Sequence, residues 1–292
     1  MSGVIFQPTG LPPVTEDSFI YFVTYCHSCL KLKWTTIKLY LAGIRFHYLQ
    51  AGYGNPFNAT DRLQCILRGI KRSQINVSKP RLPIDSKVLK QICSLLKNGL
   101  FSPVMDITLQ CMCLLAFYGF LRCSEFTVRS LKAPFQFLRI RDISFSEDKS
   151  MFTLFLASSK TDPFKTGTSI LYYSNDNLCP VTSMYTYITK YRKQPLDSGA
   201  PLFLDFKKQP FSREVFITYL RDILSRLGYQ ESNYCGHSFR IGAATSAAAA
   251  GIEDHLIKTL GRWNSSCYAR YIRTPRSTIK EAQNKLYSVK MN

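Results

Sequence analysis

Apolar residues recur at helical spacing through most of the chain and alternate only near its middle. Phe19, Phe22, Val23 and Cys26 follow Thr15 at a period near 3.6, which predicts a helix capped by the Thr15 hydroxyl. Residues 35–49 bring Ile37, Leu41, Ile44 and Tyr48 to one face, and residues 61–72 do the same with Leu63, Ile66, Leu67 and Ile70. Asp85 or Ser86 opens a helix through Lys97, and residues 102–120 form a helix apolar on every side, which reads as buried. The most apolar stretch, residues 107–121, is too short to span a bilayer.

From Ile140 the pattern changes. Residues 143–145, 151–157 and 168–173 are rich in β-formers and partly alternate, and SSKTDPFKTG joins the last two as a hairpin loop with Lys160 and Lys165. Helices return at residues 178–191, opened by Pro180, and at residues 212–227, ended by Gly228, with a short β element at Phe203 between them. The alanine-rich segment 243–250 stops at Gly251, and residues 252–260 stop at Gly261. Ser265 or Ser266 then caps a short helix carrying Tyr268 and Tyr271, and residues 278–287 form a last helix beyond Pro275. The fold class is mainly α with a small antiparallel β-sheet. Without internal repeats or βαβ alternation, a parallel-sheet nucleotide fold is unfavoured. The proline- and charge-rich residues 78–83 divide a helical module, 1–80, from a second domain, 81–292.

Composition adds a partner. The 292 residues suffice for one large or two ordinary domains, and 46% hydrophobic with 20% charged residues describes a folded chain. Thirty-eight Lys and Arg against 19 Asp and Glu give a net charge of +19, which points to a polyanion. In the first module Lys38, Arg45, Arg68, Lys71 and Arg72 fall on outer faces, where the acids are Glu16, Asp17 and Asp61; this predicts nearly all-basic outer faces that meet phosphates. Residues 1–13 lack a signal-peptide pattern, and ten scattered cysteines fit a reducing compartment. Cys26 and Cys29 form a CxxC without a second ligand pair, which favours structural thiols over zinc.

The candidate chemistry lies in two places. Residues 235–273 hold His237 and Arg240, spaced to share a helix face, then Trp263, Tyr268 and Tyr271. Far upstream, GFLRCSEF sets Arg122 and Glu125 at the end of the buried helix, where an arginine at the core's edge needs a partner. Cations, an indole and tyrosines on short helices suggest phosphate chemistry.

Arg122 in its LRCSE string, Lys160 in SKTDP, GHSFR, LGRW and YIR, in that order, resemble the motifs of the tyrosine recombinase family. The closest similarity is to eukaryotic mobile-element types such as Crypton, Ngaro and DIRS. The resemblance covers roughly residues 81–279, and the first module is similar to the family's core-binding domain. It implies that Arg122 and Arg240 clamp the non-bridging oxygens of a scissile phosphate, a task suited to the guanidinium fork. It implies that His237 hydrogen-bonds the phosphate and assists proton transfer, and that Lys160 is the general acid, with Lys165 its competitor in the same loop. Trp263 takes a position where many members have His; its indole can donate one hydrogen bond and pack the site, but cannot move a proton. Glu125 matches the acidic position that orients other side chains. Tyr271 resembles the nucleophile, forming a 3′-phosphotyrosyl bond, with Tyr268 as its rival. Tyr271 stands eight residues after Trp263, where nine is common in the family.

The resemblance further implies double-stranded DNA as partner, four protomers in the exchange complex, no cofactor, metal or ATP, no membrane, and a nuclear location in a eukaryote. The C-terminal helix would dock on its own domain or on a neighbour. Three rival readings remain. GHSFR partly matches the serine-hydrolase elbow but lacks its second glycine. A type IB topoisomerase would share the chemistry. A domesticated DNA-binding protein would keep the fold without the activity.

Overall fold

The structure is a computed structural model, and it describes residues 14–74, 81–128, 137–159, 162, 164–274 and 276–287. The chain forms two compact units, divided between Ser78 and Lys79.

In the first unit, α1 (Glu16–Ser28), α2 (Trp34–Gln50) and α3 (Asp61–Ser73) enclose a core of Phe19, Val23, Ile37, Leu41, Leu63 and Leu67. Thr15 caps α1 in a capping box with Ser18. Gln74 staples the unit shut, accepting from Trp34 N at 2.6 Å and donating to the Leu32 carbonyl at 2.9 Å. Glu16 is similarly occupied, accepting from Leu63 N at 2.9 Å. The outer surface differs from the nearly all-basic one expected. Lys38, Arg45, Arg68, Lys71 and Arg72 are exposed, but so are Tyr21, Leu39, Tyr40, Phe46 and Tyr53. A three-helix core of this size cannot shelter every apolar residue, and basic and aromatic side chains interleave.

The second unit is built around α5 (Pro103–Tyr118), which packs against α4 (Ser86–Lys97), α7 (Pro180–Thr186) and α9 (Ser238–Ala249). The polar residues buried along α5 are all partnered, as burial requires. The Asp106 carboxylate accepts from Leu100 N at 3.1 Å and Phe101 N at 3.0 Å, Thr108 donates to Val104 O, and Gln110 donates to Ser183 Oγ. β1 (Ile143–Phe145), β2 (Met151–Leu156) and β3 (Thr168–Tyr173) form an antiparallel sheet in sequence order. Phe152 and Tyr172 face each other in register, stacked 4.5 Å apart, and the Tyr172 hydroxyl donates to the Leu115 carbonyl of α5.

Small residues on α9 permit close approach. A Cβ on Gly242 would lie 1.7 Å from the Ile84 carbonyl oxygen, and Ile84 N donates to the Ser238 carbonyl. Ser246 of α9 accepts from Ser86 N at 2.9 Å, capping α4 from outside. The remaining helices are α6 (Cys123–Phe126), α8 (Arg213–Arg226), α10 (Asp254–Leu260) and α11 (Arg276–Tyr287).

Some expected elements differ. The helix opened by Pro180 loosens at Tyr187 into a π-helical turn, Tyr187–Arg192, closed by Lys193 in the left-handed region (φ 49°). Phe203 lies in a bend between isolated bridges at Pro201 and Leu204 instead of in a strand. The tyrosine segment is a 3₁₀ helix, Ser266–Arg270, capped by Ser265; Tyr268 lies inside it and Tyr271 just past its end.

Candidate active site

Two helix ends build the site. At the end of α5, Phe120 N donates to Phe117 O and Leu121 N to Ala116 O; at the end of α10, Arg262 N donates to Thr259 O and Trp263 N to Lys258 O. Both are Schellman closures, and each places a non-glycine residue in the left-handed region, Phe120 at φ 49° and Arg262 at φ 54°. Glycine would relieve about 1–2 kcal/mol at each. The glycines instead precede these residues, where space is short. A Cβ on Gly119 would meet the Tyr172 hydroxyl at 1.9 Å, and one on Gly261 the Trp263 ring at 1.8 Å.

Arginines stitch the two turns together. Arg240, wholly buried on α9, donates Nη1 to the Phe120 carbonyl and Nη2 to the Gly261 carbonyl. Arg262 donates Nη1 to the Gly119 carbonyl at 2.8 Å and Nη2 to Glu125 Oε2 at 3.0 Å. Arg122, the N-cap of α6, donates Nη1 to Glu125 Oε1 at 2.8 Å, and its backbone N donates to Oε2 at 2.8 Å. Helix C-termini favour such cations, because their carbonyls carry partial negative charge.

The cluster holds more positive charge than it neutralises. Three guanidiniums, those of Arg122, Arg240 and Arg262, gather around one carboxylate, Glu125, which pairs with Arg122 and Arg262 while Arg240 is held by the two turn carbonyls. Two helix ends offset roughly half a charge each at most. About one positive charge therefore remains. Burial, then repulsion from Arg122 and Arg262, pulls the Arg240 pKa below its ordinary value, and burial does the same for Arg262. Both stay protonated at neutral pH. Among the described residues, Nε of Arg240 and Nε of Arg262 are buried without a hydrogen-bond partner. Buried unpaired donors on excess cations favour an anionic ligand.

The aromatic side of the site lies over Arg240. Its guanidinium carbon is 4.3 Å from the Trp263 ring centre and 5.8 Å from that of Tyr271. The Trp263 and Tyr271 rings are 5.2 Å apart, and Phe120 meets Trp263 edge-on at 6.0 Å. Thr245 of α9 fixes the tyrosine's backbone, donating to the Tyr271 carbonyl at 3.2 Å and accepting from Arg273 N at 3.1 Å. One helix thus positions both Arg240 and Tyr271. Tyr268 is half-buried, 6.1 Å from Trp263, and a hydrogen bond to Asp254 raises its pKa.

The structure thus brings Arg122, Glu125, Arg240, Trp263 and Tyr271 together. His237 does not share a buried face with Arg240. It is the N-cap of α9 and exposed, where the chain has yet to enter the helix. Lys160 lies outside the described residues. The strand leading to its loop ends at the site, because Leu156, Ala157 and Ser158 line a cavity of about 70 Å³ with Glu125. Lys165 is exposed in that loop at φ 53°, and Asp162 braces the loop by accepting from Thr166 N and Gly167 N. Lys38 and Arg45 flank a groove of about 540 Å³ between α2 and α3 in the first unit.

Sequence reasoning missed Arg262. A charged residue after a helix-ending glycine reads as solvated, yet Arg262 stands nine residues before Tyr271, the spacing that Trp263 misses by one.

No protein-family model matches the sequence, and no curated protein matches it. Solved structures do match. The Tn1549 transposon integrase, solved in complex with transposon right end DNA, superposes with a TM-score of 0.61 at 12% identity, covering 97% of this chain and 89% of that one. XerH site-specific recombinase, in a post-cleavage complex with palindromic difH substrate, gives 0.59 at 12% identity over 94% of this chain and 71% of the other. XerA recombinase gives 0.52 at 14% identity over 97% and 86%. The chain therefore has the tyrosine-recombinase fold, mainly helical with a small three-stranded antiparallel sheet. Among the described residues, no helix is long and apolar enough to cross a membrane.

Proposed function

We propose that this chain is a site-specific DNA recombinase or integrase that cleaves and rejoins duplex DNA through Tyr271. The observation that carries the reading is the surplus of buried guanidinium charge beside the Tyr271 ring. A phosphodiester carries one negative charge and offers non-bridging oxygens to the donors that Arg122 and Arg240 provide. The fold, shared with an integrase and a recombinase solved in complex with DNA, supports the same reading.

In this mechanism the Tyr271 oxygen attacks phosphorus and loses its phenolic proton, with His237 assisting the transfer. The P–O5′ bond breaks, the 5′-oxygen takes a proton from Lys160, and a 3′-phosphotyrosyl ester remains. Attack by a 5′-hydroxyl reverses the sequence and restores Tyr271. The ester conserves the energy of the bond, so the reaction needs no ATP, metal or other cofactor. Glu125 orients the arginines, and Trp263 packs against Arg240. Because Arg240 has no exposed surface under the Trp263 and Tyr271 rings, engaging a phosphate requires Tyr271 to swing off it.

The first unit would act as the core-binding domain, with Lys38, Arg45, Arg68, Lys71 and Arg72 contacting phosphates while Lys165 approaches from the hairpin. The motifs favour a transposable element of the eukaryotic type, hence a nuclear site of action and a tetramer around two duplexes. The test is incubation with nicked suicide duplexes carrying the repeats that flank the gene. A covalent protein–DNA adduct, lost in Tyr271→Phe, is expected; no adduct with the unaltered protein sinks the reading.

A further inference from the structure

The Glu125 carboxylate is gripped from two sides, by Arg122 on Oε1 and by Arg262 on Oε2, and both partners are largely buried. Arg262 also holds the Gly119 carbonyl, so it ties the carboxylate to the end of α5. The arrangement is costly as mere scaffolding. Arg262 occupies a left-handed backbone position that glycine fills with less strain, adds a third buried cation around a single carboxylate, and leaves its Nε unpaired. Strain and surplus charge of this kind collect where geometry serves function.

We propose that Arg262 is a positioning residue for the cleavage step, resting on the reading of this site as a phosphodiester-cleaving centre. By fixing Glu125 against the end of α5, it sets the orientation in which Arg122 meets the scissile phosphate. Trp263 then serves as the packing wall of Arg240, and the neighbouring arginine takes the place nine residues before Tyr271.

The test compares cleavage by the full chain on matched nicked duplexes with either a normal phosphate or an uncharged methylphosphonate at the scissile position. Arg262→Ala is expected to bind duplex as the unaltered protein does but to cleave the phosphate about 10–100-fold more slowly, as for other groups that orient reacting ligands. On the methylphosphonate its deficit should shrink, because the neutral group no longer depends on a correctly aimed Arg122. A double variant with Glu125→Gln should be no slower than the slower single variant, since both break one chain of contacts. Arg262→Lys keeps the charge without the fork, and gives the same comparison if the alanine variant does not fold. Unchanged cleavage by these variants, or an equal deficit on both substrates, would overturn the inference while leaving the reaction in place. No adduct with the unaltered protein on the phosphate substrate would overturn the reaction itself, and the inference with it.

Discussion

The guanidinium of Arg240 lies 4.3 Å from the centre of the Trp263 ring, and that ring fills the space a side chain on Gly261 would need. Arginine, indole and glycine form one packed unit at the end of α10. Trp263→Ala should lose about 3–5 kcal/mol of stability, the usual cost of deleting a buried aromatic. Trp263→Phe keeps a ring over the cation and should cost much less. Chemical denaturation of the two variants checks the ordering.

Glycine at 242 and 261 is required by space, since both have ordinary negative φ. Gly242→Ala drives a methyl into the Ile84 backbone carbonyl, which cannot rotate away as a side chain can. The cost should reach the upper end for overpacking, about 3 kcal/mol. Gly228→Ala, with open space but a left-handed φ of 79°, should lose only about 1–2 kcal/mol. Equal melting temperatures for the two variants would contradict the packing.

Glu125→Gln removes the carboxylate shared by two of the guanidiniums without changing its shape. The fold then carries uncompensated buried charge, and a loss of about 3–5 kcal/mol is expected. Anions should offset part of it. At equal ionic strength, phosphate should raise the melting temperature of both proteins above that in chloride, and Arg122→Ala should weaken the effect.

Much of this architecture was legible in the sequence because its signals are local. Phe19, Val23 and Cys26 mark a helix face by spacing, Pro180 opens a helix, and SKTDPFKTG marks a hairpin between alternating segments. The strands were short but followed one another directly, which leaves an antiparallel sheet as the simple solution. What escaped depends on contacts between distant segments. Nothing near Arg262 tells that Glu125 and the Gly119 carbonyl will meet it, because those partners lie more than 130 residues away. The five-residue segment at Ser266–Arg270 is too short for periodicity to distinguish 3₁₀ from α, so the placement of Tyr271 just beyond it needed coordinates. His237 and Arg240 have helical spacing, yet one caps the helix and the other is buried within it. Spacing does not say where a helix begins.

The basic surface of the first unit makes a separate prediction. If Lys38, Arg45, Arg68, Lys71 and Arg72 meet phosphates, duplex affinity should fall steeply with salt, and each alanine substitution should lower the log–log slope by about 0.9. Salt titrations by fluorescence anisotropy measure this, and slopes unchanged in all five variants would move the DNA to another face.

In the proposed reaction Tyr271, beside the buried arginines, attacks DNA. The direct measurement is peptide mapping of the covalent adduct trapped on a nicked duplex from the gene's own flanks. A phosphotyrosyl bond is expected at Tyr271, left intact by Tyr268→Phe and abolished by Tyr271→Phe. A bond mapped to Tyr268, or an adduct persisting in Tyr271→Phe, would contradict it.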